Sequence, residues 1–305
     1  MARGDLNVVT GAFSFTGKYI TRRLLALDEK VKTLTGHPHR DHPFGKAVAA
    51  EPFHFDDPEK LASALTGATT LYNTYWVRLE HGETTFDSAV GNTRTLLLAA
   101  REAGIRRLVH ISSIGADEDS PFPYFRAKGR AEREVRESGL SCTILRPTLM
   151  FGAESLLFNN IAWMLRKFPV FAIPGKGDYR LQPVFVDDVA ELSVNAAHGE
   201  KHSILDAAGP EVFTFEELLR LVGKSIGSHT RFLHARPERV LQLTRMIGGI
   251  VEDIVLTKSE IEGLRQNLLL GSAPSTGHTL FSRWLQQHAK ALGVRYRSEL
   301  AYHFH

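Results

Sequence analysis

The amino-acid sequence predicts an α/β protein whose first half is a Rossmann-type, doubly wound parallel sheet. Short β-branched runs alternate there with longer helix-patterned segments, and a glycine-rich turn joins the first run to the first helix. After residue 150 the alternation gives way to apolar residues at three- and four-residue spacing. We therefore expect the Rossmann domain over 1–150 and a smaller, mostly helical lobe over 151–305 packed on it.

The elements of the first half follow one another through short connections. Strands are predicted from β-branched or aromatic runs, and helices from 3.6-residue periodicity with a capping residue, here Asp56 or Asp57 for the second helix. The predicted order is strand Leu6–Thr10, helix Gly17–Leu27, strands Val31–Leu34 and Phe53–Phe55, helix Pro58–Leu65, strand Thr69–Thr74, helix Thr84–Ala103, strand Arg107–Ser112, helix Tyr124–Glu137 and strand Ser141–Leu145.

The second half is expected to be richer in helix and to supply the substrate pocket. Its predicted elements are helix Leu156–Lys167, a Pro/Gly-rich loop over Pro169–Gly177, strand Pro183–Val186, helix Asp188–Ala197, strand His202–Ala207, and helical periodicity over Glu216–Val222 and Ile261–Leu270.

Composition limits the class of protein. The 305 residues carry a formal net charge of +3, and no basic tract argues for nucleic acid or a membrane as a partner. The single cysteine, Cys142, excludes an internal disulfide and is expected in the core. The N-terminal sequence lacks the apolar run of a signal peptide, and no apolar stretch approaches the roughly 18 residues that a bilayer requires. We expect a cytoplasmic protein.

The glycine-rich turn reads GAFSFTG. Its first glycine permits a sharp turn off the strand, and its last lets helix and strand pack closely. Ser14 stands where glycine is usual; it is small, and its hydroxyl can donate to a phosphate. A plain strand-to-helix turn is the alternative. We predict that the turn binds a dinucleotide pyrophosphate at the helix N-terminus through Gly11, Phe13, Ser14, Phe15, Thr16 and Gly17.

A serine, a tyrosine and a lysine follow the fifth strand, in HISSIG and YFRAK. Tyr124 and Lys128 are four residues apart, on one face of a helix. A phenol has a pKa near 10, and a neighbouring ammonium lowers it toward neutrality. The same lysine can bind a nicotinamide ribose, and a serine at the strand end can hold a substrate carbonyl or alcohol. We predict catalytic roles; an ordinary surface Tyr–Lys pair is the alternative.

The end of the second strand bears on the choice of cofactor. A ribose 2′-hydroxyl usually meets an acidic residue there, whereas a 2′-phosphate needs positive charge. No carboxylate occurs from Thr35 to His37, and His37, His39 and Arg40 supply cations. NADP(H) is therefore favoured over NAD(H). No metal site is predicted, because none of the 14 histidines has helical ligand spacing with a carboxylate partner.

These segments together resemble the short-chain dehydrogenase/reductase superfamily, in its extended and atypical branches, which include NmrA-like and complex-I NADPH-subunit-like proteins. The resemblance favours Ser113 over Ser112 as the catalytic serine. It also implies cofactor contacts from FDDPEKLASALTGA at the adenine, from LYNTYW at the adenosine ribose and from ILRPTLMFG beside the nicotinamide. The residues concerned are Asp56, Asp57, Asn73, Thr74, Tyr75, Pro147, Thr148 and Leu149.

The resemblance implies an NAD(P)-dependent oxidoreductase acting on a small molecule. Tyr124 would be the general acid/base, Lys128 would tune it and bind the ribose, and Ser113 would orient the substrate while hydride passes to or from a carbonyl or alcohol carbon. A sugar-nucleotide epimerase or dehydratase would use the same residues. A non-catalytic NADP(H)-binding structural or redox-sensor protein is the third possibility. The superfamily implies either a monomer or a homodimer.

Overall fold

The computed structural model describes residues 4–39, 41–199 and 201–304, with backbone alone at 303 and 304. The chain divides into two compact units. The first holds the chain up to Pro147 together with Val186–Ala207, and the second holds Thr148–Phe185 together with the chain from Ala208 onward. The sequence prediction placed one boundary at residue 150 and did not include the return of residues 186–207 to the first unit.

Strands and helices alternate through the first unit and become irregular in the second. The strands are β1 (Leu6–Thr10), β2 (Lys30–Thr35), β3 (Val48–Pro52), β4 (Thr70–Asn73), β5 (Arg107–Ile111), β6 (Ser141–Pro147), β7 (Leu149–Phe151), β8 (Val170–Pro174), β9 (Arg180–Leu181), β10 (Pro183–Phe185), β11 (Ser203–Ala207), β12 (Phe213–Thr214) and β13 (Arg231–Ala235). The helices are α1 (Phe15–Ala26), α2 (Pro58–Leu65), α3 (Phe86–Glu102), α4 (Pro123–Glu137), α5 (Leu156–Lys167), α6 (Val186–Ala196), α7 (Phe215–Ser225), α8 (Pro237–Val251), α9 (Lys258–Arg265), α10 (Phe281–His288) and α11 (Glu299–Phe304).

The first unit is built on a seven-stranded sheet in the order β11-β6-β5-β4-β1-β2-β3. Every neighbouring pair in it is parallel. The strand order reverses between β1 and β4, and the carboxyl ends of the strands at such a switch point form the ligand crevice of a doubly wound sheet. The predicted α/β Rossmann fold is confirmed.

The central strands are covered on both faces. All four residues of β4 and all five of β5 are buried, including the polar residues Asn73 and His110 at their carboxyl ends. Helices α2 and α3 pack together, as do α3 with α4 and α1 with α6. The core between sheet and helices includes fully buried Leu61, Leu71, Leu96 and Leu108.

The second unit has an aromatic core and three two-stranded sheets. Strands β7 and β10 pair in parallel, as do β8 and β13, while β9 and β12 are antiparallel. Phe281 is fully buried, with its ring centroid 5.0 Å from that of Phe151 and 4.8 Å from that of Phe158. Six of the described helices belong to this unit, which is richer in helix than in strand, as the sequence predicts.

Three sequence predictions of secondary structure were wrong. The third strand is Val48–Pro52 rather than Phe53–Phe55, whose two rings instead stack 4.7 Å apart. The segment Pro169–Gly177 contains β8, because pairing with the distant β13 supplies the ladder hydrogen bonds. The helix predicted through Leu270 ends at Arg265, and Asn267 follows it with a φ of 56°, outside the helical region. The other boundaries shift by three residues or fewer.

Candidate functional site

The glycine-rich turn lies between β1 and α1. Gly11 has a φ of 65°, and its N–H donates to the Leu34 carbonyl oxygen at 2.7 Å, which ties the turn to β2. Ser14 occupies the N-cap position of α1. Its hydroxyl donates to the Gly11 carbonyl oxygen at 2.6 Å, so it braces the turn instead of pointing a free hydrogen toward a phosphate.

Gly17 is required by close packing of the first helical turn on this loop. A Cβ atom added at Gly17 would lie 2.1 Å from the Gly11 carbonyl oxygen, far inside van der Waals contact. Phe15 and the buried Thr16 precede it in the first turn of α1. The first N–H groups of a helix have no acceptor within it, so the turn presents donors at the carboxyl end of β1.

The end of β2 is covered by aromatic contacts. The buried Phe13 ring stacks on His42, with centroids 3.8 Å apart and an interplanar angle of 8°. The N–H of the half-buried His37 donates to Thr35 Oγ1 at 3.2 Å. Among the described residues, no atom lies within 4 Å of a Cβ added at Gly36. The predicted site residue Arg40 lies outside the described residues.

The two aspartates after β3 have different surroundings. Asp57 is the N-cap of α2, accepting from the Lys60 N–H at 3.2 Å and from Lys60 Nζ at 2.7 Å. The side-chain hydrogen bond from Lys60 lowers the pKa of Asp57. Asp56 is exposed and lies just before this cap. The structure thus gives Asp57 a defined helix-capping role, while the predicted adenine contact stays a prediction.

The end of β4 is joined to β1 by buried hydrogen bonds. Asn73 Oδ1 accepts from Thr10 Oγ1 at 3.2 Å and from the Tyr75 N–H at 3.0 Å, and Asn73 Nδ2 donates to His110 Nδ1 at 3.1 Å. Thr74 Oγ1 donates to the Thr10 carbonyl oxygen at 2.5 Å. The N–H groups of Thr74 and Tyr75 also donate to Thr10 Oγ1, at 2.8 and 3.0 Å, so the predicted ribose contact of this segment stays a prediction.

Tyr75 turns away from the sheet into a cluster with the two phenylalanines that follow β3. Its ring centroid is 5.2 Å from that of Phe53 and 5.0 Å from that of Phe55. Its hydroxyl accepts from Asn92 Nδ2 at 2.8 Å, and burial raises the pKa of the phenol.

Lys128 is buried in the middle of α4. Only 3% of its surface is exposed, and its Nζ donates to the Ile111 carbonyl oxygen at 3.2 Å. The same Nζ lies 4.2 Å from the centroid of the Trp76 ring. Burial lowers the pKa of Lys128 to about 7, against the opposing charge of Glu132. A lysine in this state can change its protonation at neutral pH.

Tyr124 lies one turn earlier on the same helix and is half-buried. Its ring meets Trp76 edge to face at 6.3 Å between centroids, and meets Phe86 in the same way at 5.9 Å. Tyr124 and Lys128 therefore share one aromatic neighbour, Trp76. The sequence did not predict this contact, because Trp76 follows β4 and lies 48 positions before Tyr124 in the chain.

The two serines at the end of β5 differ in burial and partners. Ser112 is buried, and its hydroxyl donates to Glu132 Oε1 at 2.6 Å. Ser113 is half-buried, and its hydroxyl donates to the Ile114 carbonyl oxygen at 3.0 Å. The accessible hydroxyl is thus that of Ser113, in keeping with its prediction as the catalytic serine. The sequence analysis did not predict a role for Glu132, although its position four residues after Lys128 places it on the same helix face.

The sequence is similar to those of known nucleotide-binding proteins. Residues 11–154 match a family model described as NAD(P)H-binding. The sterol demethylase protein B of Methylococcus capsulatus is 34% identical over 267 residues, which is 77% of this chain and 78% of that protein. The chain belongs to the short-chain dehydrogenase/reductase superfamily, in its extended and atypical branch.

Other members of the superfamily share less of the sequence. The mitochondrial NADH dehydrogenase (ubiquinone) 1 alpha subcomplex subunit 9 of Arabidopsis thaliana is 27% identical over 241 residues, covering 75% of this chain and 60% of the subunit. The chain spans 53% to 63% of the length of this subunit and its Dictyostelium and rat counterparts. The structure of Citrobacter triphenylmethane reductase complexed with NADP(H) has the same fold, with a TM-score of 0.76 at 16% identity over 93% of this chain and 99% of the reductase.

The remaining predicted residues of this short-chain dehydrogenase/reductase lie around the end of β6. The Pro147 carbonyl oxygen accepts from the Ile114 N–H at 2.9 Å, which places the end of β6 beside the Ser113 segment. Thr148 is buried and Leu149 is half-buried; both belong to the second unit. Their predicted place beside the nicotinamide stays a prediction.

The residues present fit a nicotinamide dinucleotide. The carboxyl ends of β1 and β4 meet at the switch point of the sheet, and the turn beside them has no room for a side chain at Gly17. Within the described residues, no group of three or more His, Cys, Asp or Glu side chains is placed to hold a metal ion. In the same part of the chain, no helix is both long enough and apolar enough to cross a membrane.

Proposed function

We propose that this protein is an NAD(P)-dependent oxidoreductase that moves a hydride to or from a carbonyl or alcohol carbon, with Tyr124 as general acid/base. The observation that carries the proposal is the buried Lys128, whose pKa is lowered to about 7 one helical turn after Tyr124. Burying a lysine beside the end of a central strand costs free energy, and groups with strongly shifted pKa values are concentrated at functional sites.

The three side chains act on the substrate oxygen, on its proton and on the cofactor ribose. The Ser113 hydroxyl donates a hydrogen bond to the substrate oxygen and fixes its position. In the reductive direction the Tyr124 phenol gives its proton to that oxygen, and in the oxidative direction the phenolate takes it back. Lys128, when protonated, stabilises the phenolate and donates to the ribose hydroxyls. The bound cofactor supplies or accepts the hydride at its nicotinamide ring.

For the cofactor we propose NADP(H). The end of β2 carries no carboxylate that would bind a ribose 2′-hydroxyl and repel a 2′-phosphate. The open space at Gly36 leaves room for the additional phosphate, and His37 and His39 lie directly after it. A tighter affinity for NADH than for NADPH in a fluorescence titration would contradict this choice.

For the substrate we propose an alcohol or ketone on a largely apolar molecule. The 34% identity to a protein named sterol demethylase protein B favours this class. A second candidate is a non-catalytic NADP(H)-binding role, which the similarity to NADH dehydrogenase subunits favours.

The decisive experiment compares Tyr124→Phe with Tyr72→Phe. Tyr72 is a matched control because its buried hydroxyl has no hydrogen-bond partner among the described residues. We expect Tyr124→Phe to lower turnover of an apolar ketone by about 10²–10⁴-fold while the NADPH dissociation constant stays within about twofold. Tyr72→Phe should keep full activity. Tight NADPH binding by a wild-type protein that oxidises it with no carbonyl compound would instead favour the non-catalytic role.

A further inference from the structure

Helix α8 of the second unit exposes a row of large aliphatic side chains. Leu243 is 41% exposed, Met246 is 70% exposed and Ile250 is 78% exposed. Positions i, i+3 and i+7 lie on one face of a helix. Met246 and Ile250 have the largest exposed fractions among the exposed large hydrophobic residues of the described chain. Such a row on a water-facing helix indicates a surface that is covered in use.

The opposite face holds α8 firmly against its own unit. Val240, Thr244 and Gly248 are buried at four-residue spacing. Directly after the helix, the Asp253 carboxylate accepts from the Tyr296 hydroxyl at 2.6 Å and from the Glu299 N–H at 2.8 Å, which ties the end of α8 to the last part of the chain. The Leu243–Ile250 row therefore cannot turn inward without exposing the buried face and breaking these contacts.

The charges around the row are mostly positive. Arg236 is the N-cap of α8, and Arg239 and Arg245 lie within it; all three are exposed. No salt bridge is recorded for any of them among the described residues. The acidic residues counted in the same way are Glu238 in the first turn and the exposed C-cap Glu252. Arg239 is four residues before Leu243 and seven before Met246, so it lies on the same face as the aliphatic row.

We propose that α8 docks on an anionic phospholipid membrane surface. Leu243, Met246 and Ile250 enter the boundary between headgroups and acyl chains, and the arginines bind the lipid phosphates. A second copy of the chain fits this face less well. It would bring a second set of uncompensated arginines, and three aliphatic side chains supply far less than the roughly 800 Å² per partner of a stable protein interface.

This proposal is independent of the proposed chemistry. The net charge of +3 for the whole chain led to the expectation of no membrane partner. Coulomb attraction to a charged surface acts over about a Debye length, so the local charge of α8 matters more than the net charge. An interfacial helix of this kind lies in the plane of the membrane and does not span it.

The test is co-sedimentation of the full chain with phosphatidylcholine vesicles that contain or lack phosphatidylglycerol. We expect binding to the anionic vesicles only, weakened by added salt. The double variant Met246→Ser/Ile250→Ser should weaken it by roughly tenfold or more. Arg239→Gln/Arg245→Gln should weaken it by roughly fivefold per arginine.

The matched control is Leu27→Ser/Leu98→Ser, which removes two leucines that are each 57% exposed in the first unit. It should bind vesicles as the wild type does, and thermal melts should show that all variants are folded. Equal binding by the α8 and control variants would overturn the proposal, as would no binding to either vesicle. A dimer in solution that Met246→Ser/Ile250→Ser dissociates would show that a second copy covers the face.

Discussion

The Arg146 guanidinium donates two hydrogen bonds to the Glu132 carboxylate, from Nε to Oε1 at 2.8 Å and from Nη2 to Oε2 at 2.5 Å. The Glu132 side chain is only 1% exposed and also accepts a hydrogen bond from the Ser112 hydroxyl. The hydrogen bonds that Arg146 donates to Glu132 raise the pKa of the guanidinium. The pair fixes α4, which carries Tyr124 and Lys128, to strand β6.

Removal of Arg146 alone is therefore expected to be costly. Arg146→Met would leave a buried carboxylate without its partner, which typically lowers the free energy of unfolding by about 3–5 kcal/mol. The double variant Arg146→Met/Glu132→Leu should recover most of that loss in urea unfolding. Arg130→Met is the control from the same helix, since its partner Asp87 in α3 is 79% exposed and the effect should be small. Equal losses from Arg146→Met and Arg130→Met would contradict this account.

Replacing a glycine by alanine should destabilise the protein in the glycine-rich turn and stabilise it within α3. Gly17→Ala would place a Cβ 2.1 Å from the Gly11 carbonyl oxygen, so the turn must open. We expect a lower melting temperature and a large loss of NADPH affinity in a fluorescence titration. Gly91→Ala lies within α3 with no atom within 4 Å of its added Cβ. It should stabilise the protein by about 0.5–1 kcal/mol and leave binding unchanged.

The sequence was sufficient for the parts of this molecule that rest on local rules. Gly11 is required by its positive φ, and Gly17 by the close approach of the Gly11 carbonyl oxygen. Both requirements are typical of a tight turn between a strand and a helix, so the sequence pattern predicts them. The spacing of Tyr124 and Lys128 alone predicts that they lie one turn apart on the same helix. Helix Pro58–Leu65 was predicted to the residue because Asp57 and Pro58 mark its start.

Other parts depend on contacts between distant residues and could not be read in this way. Phe53 and Phe55 have the composition of a strand, but their rings are used in a cluster with Tyr75. Trp76 reaches Lys128, and Arg146 reaches Glu132, only after the sheet has formed. The return of Val186–Ala207 to the first unit depends on the topology of the chain, which the spacing of apolar residues does not reveal.

The end of β2 offers a test of the cofactor preference. At Gly36 the added side chain of an arginine meets open space, and its guanidinium would pair with a 2′-phosphate. Gly36→Arg is expected to tighten NADPH binding relative to NADH by roughly tenfold, and Gly36→Asp to reverse the preference by repelling the phosphate. Competitive titration of both cofactors measures the ratio. Unchanged ratios in both variants would mean that the phosphate is bound elsewhere.

The last prediction concerns acid stability and His110. This residue is completely buried, and burial lowers its pKa from 6.5 to about 3. Its Nδ1 accepts from Asn73 Nδ2, so a protonated ring would place an N–H against another N–H donor. The unfolded chain binds this proton below pH 6.5 and the folded chain does not. The stability that neutral His110 contributes is therefore complete above pH 6.5.

That stability is lost as the pH falls from 6.5 toward 3, by about 1.4 kcal/mol per pH unit from this group. His110→Gln keeps an oxygen acceptor for Asn73 and removes the titration, so its unfolding free energy should fall less steeply over the same interval. The exposed His198→Gln is the control and should follow the wild-type profile. Urea unfolding at a series of pH values measures the slopes, and parallel profiles for wild type and His110→Gln would show that other groups govern the acid sensitivity.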